Sequence, residues 1–310
     1  MAFEREDLTR AVQAHGRVVR VVVADLRGSA PREVGAAMLV WDGGQSGTIG
    51  GGALEYEAAR TARTLAADSL TTHPLGPSLG QCCGGSVTLL AEIYNDRRLK
   101  SLEGSVIARP APGAGEMPLA VKRLLAQARG AGTMPEAQLL QGWMIEPVAQ
   151  PDRTFWIWGA GHVGRAIVNV LAPLPGLQIT WVDTAPDRFP AVHPQNVTTL
   201  PAADPARLFP HAPVGAEHLI LTYSHTLDLA LCHGLLGHGF TSAGLIGSAT
   251  KWARFRHRLA QLGHAPDQIA RIRCPIGNPA LGKHPQAIAV GVAAEVLQSA
   301  RDHQKRTRLA

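Results

Sequence analysis

Residues 155–164 read Phe-Trp-Ile-Trp-Gly-Ala-Gly-His-Val-Gly, an apolar run that ends in a glycine-rich turn. The turn has the G-x-G-x-x-G spacing of loops that join a strand to a phosphate-binding helix. A helix is predicted directly after it, over residues 162–171, and Asp183 ends the next apolar run about 20 residues further on, where such units place an acidic residue. The stretch therefore predicts a nucleotide-binding type of α/β unit.

Strands and helices alternate downstream of this turn. Periodicity predicts strands over residues 178–182, 218–223 and 243–246, with helices over residues 225–236 and from about Ser248 onward. Strands separated by helices form a parallel sheet covered by helices. We therefore predict a Rossmann-like, doubly wound parallel sheet over residues 151–310.

The first part of the chain has a different pattern. Strands are predicted over residues 18–26, 37–41 and 87–94, and an alanine-rich helix over residues 53–67. Residues 1–105 are predicted to form a small mixed α/β domain. Proline, glycine and alanine become frequent after it, so residues 106–150 are predicted to be an insertion and a linker. The predicted fold class of the whole chain is α/β.

Composition excludes several classes of protein. The chain is 45% hydrophobic and 17% charged, with a net charge of +6 that lies partly in the basic run at residues 304–308. Basic residues are not interleaved with aromatic ones, so we expect no nucleic-acid partner. No apolar stretch approaches the roughly 20 residues of a membrane helix, and the first residues do not resemble a signal peptide. These features, with cysteines that form no disulfide framework, predict a cytoplasmic protein without a membrane partner.

Glycine-rich segments precede predicted helices at three places: residues 159–164 (the first segment), 47–52 (the second) and 247–251 (the third). Backbone N–H groups at a helix start, or in a run of glycines, bind anions. Asp183, which follows the first segment, is placed to accept a hydrogen bond from a ribose or another hydroxyl. The third segment adds a cation, Lys251. Three such segments in one chain favour ligand binding over tight turns alone. The candidate residues are Gly51, Gly52, Gly159, Gly161, His162, Gly164, Asp183, Ser248 and Lys251.

Two adjacent thiols lie in the segment Gln81-Cys82-Cys83-Gly84-Gly85. Thiolates are soft nucleophiles and soft metal ligands, and the flanking glycines leave room for a bulky partner. Cys82 and Cys83 are therefore the candidate metal and cofactor ligands. Cys232 and Cys274 are interpreted as buried apolar residues.

His225 and Asp228 lie three residues apart at the start of a predicted helix, so they share a face. Such a pair suits hydrogen bonding or metal contact near the strand ends, and His225 is a candidate cofactor-binding residue. The alternative is that Ser224 caps the helix and Asp228 is exposed to solvent.

Together these segments resemble the xanthine dehydrogenase accessory protein family, XdhC/CoxI. The resemblance covers nearly the whole chain except residues 101–140 and the tail. Residues 223–225 and 249–252 are most like the branch that serves xanthine dehydrogenases. The matching segments are residues 28–32, 47–55, 81–85, 159–164, 244–251 and 274–289.

The resemblance implies a chaperone that binds molybdenum cofactor in its molybdopterin form. It implies that the cofactor is protected during sulfuration and then inserted into xanthine dehydrogenase. The implied partners are a cysteine desulfurase of the NifS type and the molybdenum-binding subunit of the dehydrogenase, and the implied assembly is a homodimer. Whether the protein itself catalyses sulfuration, and whether a nucleotide also binds, stays open.

Two other functions account for part of the pattern. In an NAD-dependent oxidoreductase, Asp183 would select NAD because a carboxylate repels the 2′-phosphate of NADP. That interpretation supplies no acid or base for hydride transfer and no role for Cys82 and Cys83. A thiol redox or metal-trafficking protein would hold metal on these two cysteines without any pterin.

Overall fold

A β-branched run forms the central strand of the first unit. The computed structural model describes residues 1–75 and 84–309, and the chain divides into Met1–Ala149 and Gln150–Ala310. The first unit contains an antiparallel sheet in which β1 lies between β2 and β5, while β3 and β4 form the edges. Its strands are β1 (Val18–Arg27), β2 (Ala37–Trp41), β3 (Gly44–Gly47), β4 (Ser69–Pro74) and β5 (Ser86–Tyr94).

Two helices bury apolar faces against this sheet. Helix α1 (Arg5–His15) ends at Gly16, whose φ of 73° is the left-handed conformation expected of a C-terminal glycine. Helix α2 (Gly52–Arg63) begins after the glycine run and buries Leu54 in the main apolar cluster of the unit. A short helix, α3 (Asp96–Leu99), follows β5.

Residues 106–147 are folded, although the sequence predicts an insertion and a linker over residues 106–150. Strands β6 (Val106–Pro110), β7 (Gln138–Leu140) and β8 (Trp143–Pro147) form an antiparallel sheet, and α4 (Leu119–Ala131) packs on it. Met144 on β8 is fully buried against Val22 and Leu90 of the first sheet. This packing extends the first unit from the predicted boundary at residue 105 to residue 149.

Buried charges join the two sheets of the first unit. Glu146 on β8 accepts hydrogen bonds from both terminal nitrogens of Arg20, at 2.9 and 2.7 Å. Arg109 bridges Glu146 and Glu92, and all four side chains are at most 5% exposed. Burial alone would raise the pKa of Glu146, but the two guanidinium groups hold it below its ordinary value.

Replacement of Glu146 by alanine should therefore destabilise the first unit strongly. Two buried guanidinium groups would lose their shared counter-charge, and breaking a buried pair from one side costs about 3–5 kcal/mol. Urea unfolding should show this loss in the free energy of unfolding. Glu116→Ala, which removes an exposed carboxylate from the same unit, is the matched control. A loss of less than about 1 kcal/mol for Glu146→Ala would contradict the conclusion that Glu146 neutralises both buried arginines.

Six parallel strands form the sheet of the second unit. Their order is β11-β10-β9-β12-β13-β14, which, counted within the unit, is the 3-2-1-4-5-6 order of doubly wound nucleotide-binding sheets. The predicted fold class is confirmed. The strands are β9 (Arg153–Trp158), β10 (Leu177–Asp183), β11 (Val197–Pro201), β12 (Glu217–Ile220), β13 (Ser242–Leu245) and β14 (Ile272–Arg273).

Helices cover both faces of this sheet, because successive side chains of a strand point to opposite faces. Phe155 and Ile157 of β9 pack with α5 and α9, whereas Trp156 and Trp158 pack with α6 and α7. None of the helices in the described residues is both long and apolar enough to cross a bilayer. The helices are α5 (His162–Leu171), α6 (His225–His238), α7 (Ala249–Gln261), α8 (Pro266–Ile269) and α9 (Pro285–Leu309).

His218 is a buried, neutral histidine in β12. Its Nδ1 accepts a hydrogen bond from Nε1 of Trp158 at 3.2 Å, and its Nε2 has no partner among the described residues. Burial, assisted by nearby His238, lowers the pKa of His218 from 6.5 to about 4. The charged form is therefore disfavoured only in the folded state.

This depressed pKa predicts an acid-sensitive stability. Above pH 6.5 the ring is neutral in both states, so it adds no pH dependence. As the pH falls from 6.5 to about 4, the unfolded chain takes up a proton that the folded protein excludes. His218 should therefore lower the free energy of unfolding by about 3 kcal/mol across this window. His218→Phe should flatten that slope in urea titrations at several pH values, and His211→Phe, at an exposed position, should not. Equal slopes for wild type and His218→Phe would contradict the prediction.

Candidate functional site

The turn between β9 and α5 lies where the strand order reverses. Strands β10 and β12 flank β9 on opposite sides, so a crevice opens beyond the carboxyl ends of β9 and β12. Gly159 has a φ of 120°, and a Cβ there would lie 2.5 Å from the carbonyl oxygen of Leu221. A Cβ on Gly164 would overlap the carbonyl oxygen of Gly159. The internal packing of the protein therefore requires glycine at these two positions.

Gly161 is a glycine that packing does not require. It precedes α5 with a φ of −72°, and an added Cβ would meet no atom within 4 Å. Gly161 instead lines a cleft of about 270 Å³ at the start of α5. Glycine at this position allows a ligand to approach the N–H groups of the first helical turn, where the helix dipole favours negative charge.

The walls of the cleft come from four loops at the carboxyl edge of the sheet. His162 is exposed at the start of α5, and Tyr223, after β12, is 72% exposed. The structure thus brings together five of the residues predicted from the sequence. The lining residues are Gly159, Gly161, His162, Val163, Gly164, Asp183, Arg188, Leu221, Thr222, Tyr223 and Ile246.

Arg188 supplies the cation of the cleft, and it is not among the residues predicted from the sequence. Its Nε donates to Oδ1 of Asp183 at 3.4 Å, and its guanidinium carbon lies 5.7 Å from the ring centroid of Tyr223. The side chain is 40% exposed. In nucleotide-binding folds, an arginine near the acidic residue of the second strand can bind a phosphate group, such as the 2′-phosphate of NADP. Arg188 could therefore have been predicted from its position five residues after Asp183.

Asp183 is engaged by the protein itself. One carboxylate oxygen accepts a hydrogen bond from the N–H of Ala160, and the other accepts from the N–H and the hydroxyl of Thr184 at 2.6 and 3.1 Å. The side chain is buried. Asp183 therefore holds the glycine turn against the end of β10.

Glu55 of the same chain takes the donors of the second glycine segment. Its Oε2 accepts hydrogen bonds from the N–H groups of Ile49 and Gly51, both at 3.0 Å, and from the hydroxyl of Thr48. Burial would raise the pKa of Glu55, but these hydrogen bonds hold it below its ordinary value. The loop of Gly51 and Gly52 thus binds a carboxylate of its own chain where the sequence suggests an anionic ligand.

The third segment is also satisfied from within. The Ser248 hydroxyl caps α7 by accepting a hydrogen bond from the N–H of Lys251 at 3.2 Å. Nζ of Lys251 donates to Oδ2 of Asp228 at 2.6 Å and to the carbonyl of Ile246 at 2.9 Å. The ammonium predicted to meet a phosphate is therefore already paired with a carboxylate.

Asp228 is buried, contrary to the alternative that placed it in solvent. Besides Lys251, it accepts hydrogen bonds from the N–H and hydroxyl of Thr222, at 3.1 and 2.7 Å. Ser224 does cap α6, as the same alternative predicts. His225 points its ring at Phe255 of α7 and lines a separate groove rather than the glycine cleft.

Cys82 and Cys83 lie outside the described residues. Cys232 is fully buried and Cys274 partly buried, both against the same apolar cluster, and burial raises the pKa of each thiol. Both therefore pack in the apolar cluster, Cys232 as the buried residue that was predicted and Cys274 with part of its surface exposed. No group of three histidine, cysteine or acidic side chains in residues 1–75 and 84–309 is placed to hold a metal ion.

Three glycines of the first unit, Gly28, Gly50 and Gly85, lie where segments distant in sequence pack closely together. A Cβ on Gly28 would lie 3.1 Å from Cα of Gly85, the residue before that strand. A Cβ on Gly50 would lie 2.6 Å from Cγ of Pro31. Glycine at these positions therefore lets residues 28–31, 50 and 85 pack together.

Two family models match the chain. The model described as the XdhC Rossmann domain matches residues 155–296, and the model of the XdhC and CoxI family matches residues 11–73. The first match contains all the residues that line the glycine cleft. The second contains the loop whose N–H groups donate hydrogen bonds to Glu55.

The chain is also similar to two individual proteins. It is 23% identical over 284 residues to the uncharacterised protein YqeB of Escherichia coli strain K12; the match covers 89% of this chain but only 42% of that relative. A crystal structure from Bacillus halodurans, described as a xanthine dehydrogenase, superposes with a TM-score of 0.69 at 19% identity, covering 97% of this chain and 96% of the other. The latter likeness shows a shared fold.

The glycines of the turn should respond differently to the same substitution. Gly164→Ala forces a Cβ into the Gly159 carbonyl, so it should cost more than about 2 kcal/mol of unfolding free energy. Gly161→Ala, in open space at an ordinary φ, should change stability by less than about 0.5 kcal/mol. Thermal and urea unfolding of the two variants measure the difference, and similar losses in both would contradict the assignment of Gly161 to ligand approach.

Proposed function

The chain belongs to the XdhC and CoxI family, and from that premise we propose that it matures a molybdenum hydroxylase of the xanthine dehydrogenase type. Family membership supports a maturation role. The observation that supports a bound ligand is the cleft at the start of α5, where Gly161 leaves the helix N-terminus open and Arg188 supplies a cation. The function proposed in detail is that of a chaperone for the molybdenum cofactor.

We assign the phosphate end of the cofactor to this cleft. The N–H groups of the first turn of α5 and the guanidinium group of Arg188 would hold the phosphate. The cleft volume of about 270 Å³ is below the roughly 300–1,000 Å³ of sites that enclose a whole small ligand. The cleft therefore fits one anionic end of the cofactor and leaves its remainder to other groups.

We assign the molybdenum end to Cys82 and Cys83 on the basis of their chemistry, since thiolates are soft ligands and sulfur nucleophiles. The bound cofactor would supply the molybdenum that carries the sulfido ligand. In this proposal the protein protects the cofactor during sulfuration by a NifS-type cysteine desulfurase. It then delivers the cofactor to the molybdenum-binding subunit of xanthine dehydrogenase, and acts as a homodimer in the cytoplasm.

The rival oxidoreductase receives less support from the geometry. Its selection of NAD depends on Asp183 accepting a ribose hydroxyl, and both oxygens of that carboxylate already accept hydrogen bonds from Ala160 and Thr184. Arg188, beside it, suits a phosphate, such as the 2′-phosphate of NADP, rather than the neutral ribose hydroxyl of NAD.

Cofactor binding is measured by the fluorescence of oxidised pterin retained on the protein after gel filtration. The wild-type protein should retain the cofactor stoichiometrically. Gly161→Ala should weaken retention by about tenfold, because a Cβ obstructs approach to the N–H groups. Gly237→Ala is the control: it makes the same change in α6, where an added Cβ also meets no atom. Absence of retention by the wild type, with NAD bound instead, would support the oxidoreductase.

Activation of apo-xanthine dehydrogenase, measured beside pterin retention, separates the two ends of the cofactor. A variant with Cys82→Ser and Cys83→Ser should keep the phosphate contacts and still fail to activate apo-xanthine dehydrogenase when desulfurase and cofactor are supplied. Wild-type activation by this double variant would remove the cysteines from the proposal and leave the phosphate cleft in place.

A further inference from the structure

A second groove, of about 630 Å³, runs from the start of α6 along α7. The function proposed above makes no use of it. Its lining residues are His225, Ala253, Arg254, Phe255, His257 and Arg258, and none of them is acidic. Both its size and its composition differ from those of the glycine cleft.

The charges of this groove are uncompensated in the described part of the chain. Helix α7 contains four lysine or arginine residues and no aspartate or glutamate over its 13 residues. Lys251 is paired with Asp228, but the side chains of Arg254 and Arg258 form no hydrogen bond or ion pair with any described residue. These two arginines lie four residues apart on one helical face, where like charges repel each other. A bound anion would relieve that repulsion.

The groove also has an aromatic floor. Phe255 is only 5% exposed there, with Nζ of Lys251 5.3 Å from its ring centroid. The exposed ring of His225 meets Phe255 edge-on, with centroids 6.5 Å apart and an interplanar angle of 86°. Apolar side chains with a few charged groups beside them are typical of small-ligand sites. Guanidinium forks match the oxygens of a phosphate, and aromatic rings pack against flat ligands.

We propose that this groove binds a phosphomonoester of a flat heteroaromatic molecule. The phosphoryl group is held by Arg254 and Arg258, and the ring system packs against the exposed ring of His225, next to Phe255. His257 adds a further donor at the rim. The proposal rests on side chains of α6 and α7 alone, so it stands whether or not the glycine cleft holds molybdenum cofactor.

The test is calorimetric titration of the full chain with AMP, a phosphomonoester with a flat base. A variant with Arg254→Ser and Arg258→Ser should bind AMP at least about tenfold more weakly, since it loses the charge-assisted hydrogen bonds to the phosphoryl group. Arg256→Ser is the matched control, because it removes the same charge from the same helix at an exposed position that does not line the groove. This control should change the Kd by less than about twofold. Unchanged thermal unfolding of all three proteins confirms that the fold is kept.

Further arms locate the ligand and define its class. Inorganic phosphate should bind more weakly than AMP, and Gly161→Ala should leave AMP binding intact. Equal affinity for phosphate and AMP would contradict a contact with the heteroaromatic ring. An equal loss of AMP affinity in Arg256→Ser would mean that only the overall positive charge of α7 attracts the ligand. Loss of binding only in Gly161→Ala would assign AMP to the glycine cleft. Arginine-dependent binding of a hexaglutamate peptide without AMP binding would assign the groove to an acidic protein segment. Any one of these last four results overturns the proposal.

Discussion

The close contact between Gly164 on α5 and the carbonyl oxygen of Gly159 is the constraint on which the ligand crevice depends. Helix α5 starts directly beyond β9 because no side chain separates the two segments. The carboxylate of Asp183 then ties the N–H of Ala160 to the end of β10. Since β9 is also the strand at which the sheet order reverses, this local packing sets the N-terminus of a helix in the crevice between two diverging halves of the sheet.

Glycine-rich loops offer N–H donors, but the nearest acceptor need not be a ligand. In the first unit, Glu55 reaches back to the loop that precedes α2 and accepts its hydrogen bonds. In the second unit, Asp228 neutralises the ammonium group of Lys251. Of the three segments predicted as anion sites, the turn at Gly161 is the one shown to line a cleft that also contains a partly exposed cation, Arg188, within the described residues. Internal satisfaction thus reduces three sequence candidates to one supported by geometry.

Residues 106–147 show how a weak local pattern becomes a folded layer. Their proline, glycine and alanine content resembles that of a linker, and β7 has only three residues. The layer is held by contacts distant in sequence: Glu146 lies 126 residues from Arg20 and yet accepts both of its hydrogen bonds in a buried position. Buried charges need opposite charges at hydrogen-bonding distance, so neither sheet of the first unit is complete without the other.

The amino-acid pattern alone predicts the α/β class, the alternation of the second unit, the helix over residues 162–171 and the glycine turn before it. These features depend on spacings of 2 and 3.6 residues and on glycine stereochemistry, which act between neighbours in the chain. The partners of the charged side chains were decided only by the tertiary structure. Asp183, Lys251 and the loop of Gly51 and Gly52 were each predicted to contact a ligand, and Arg188 was not, because a charge finds its counter-charge through strand order and helix placement. Those distances are set when the sheets assemble, and no local spacing in the sequence specifies them.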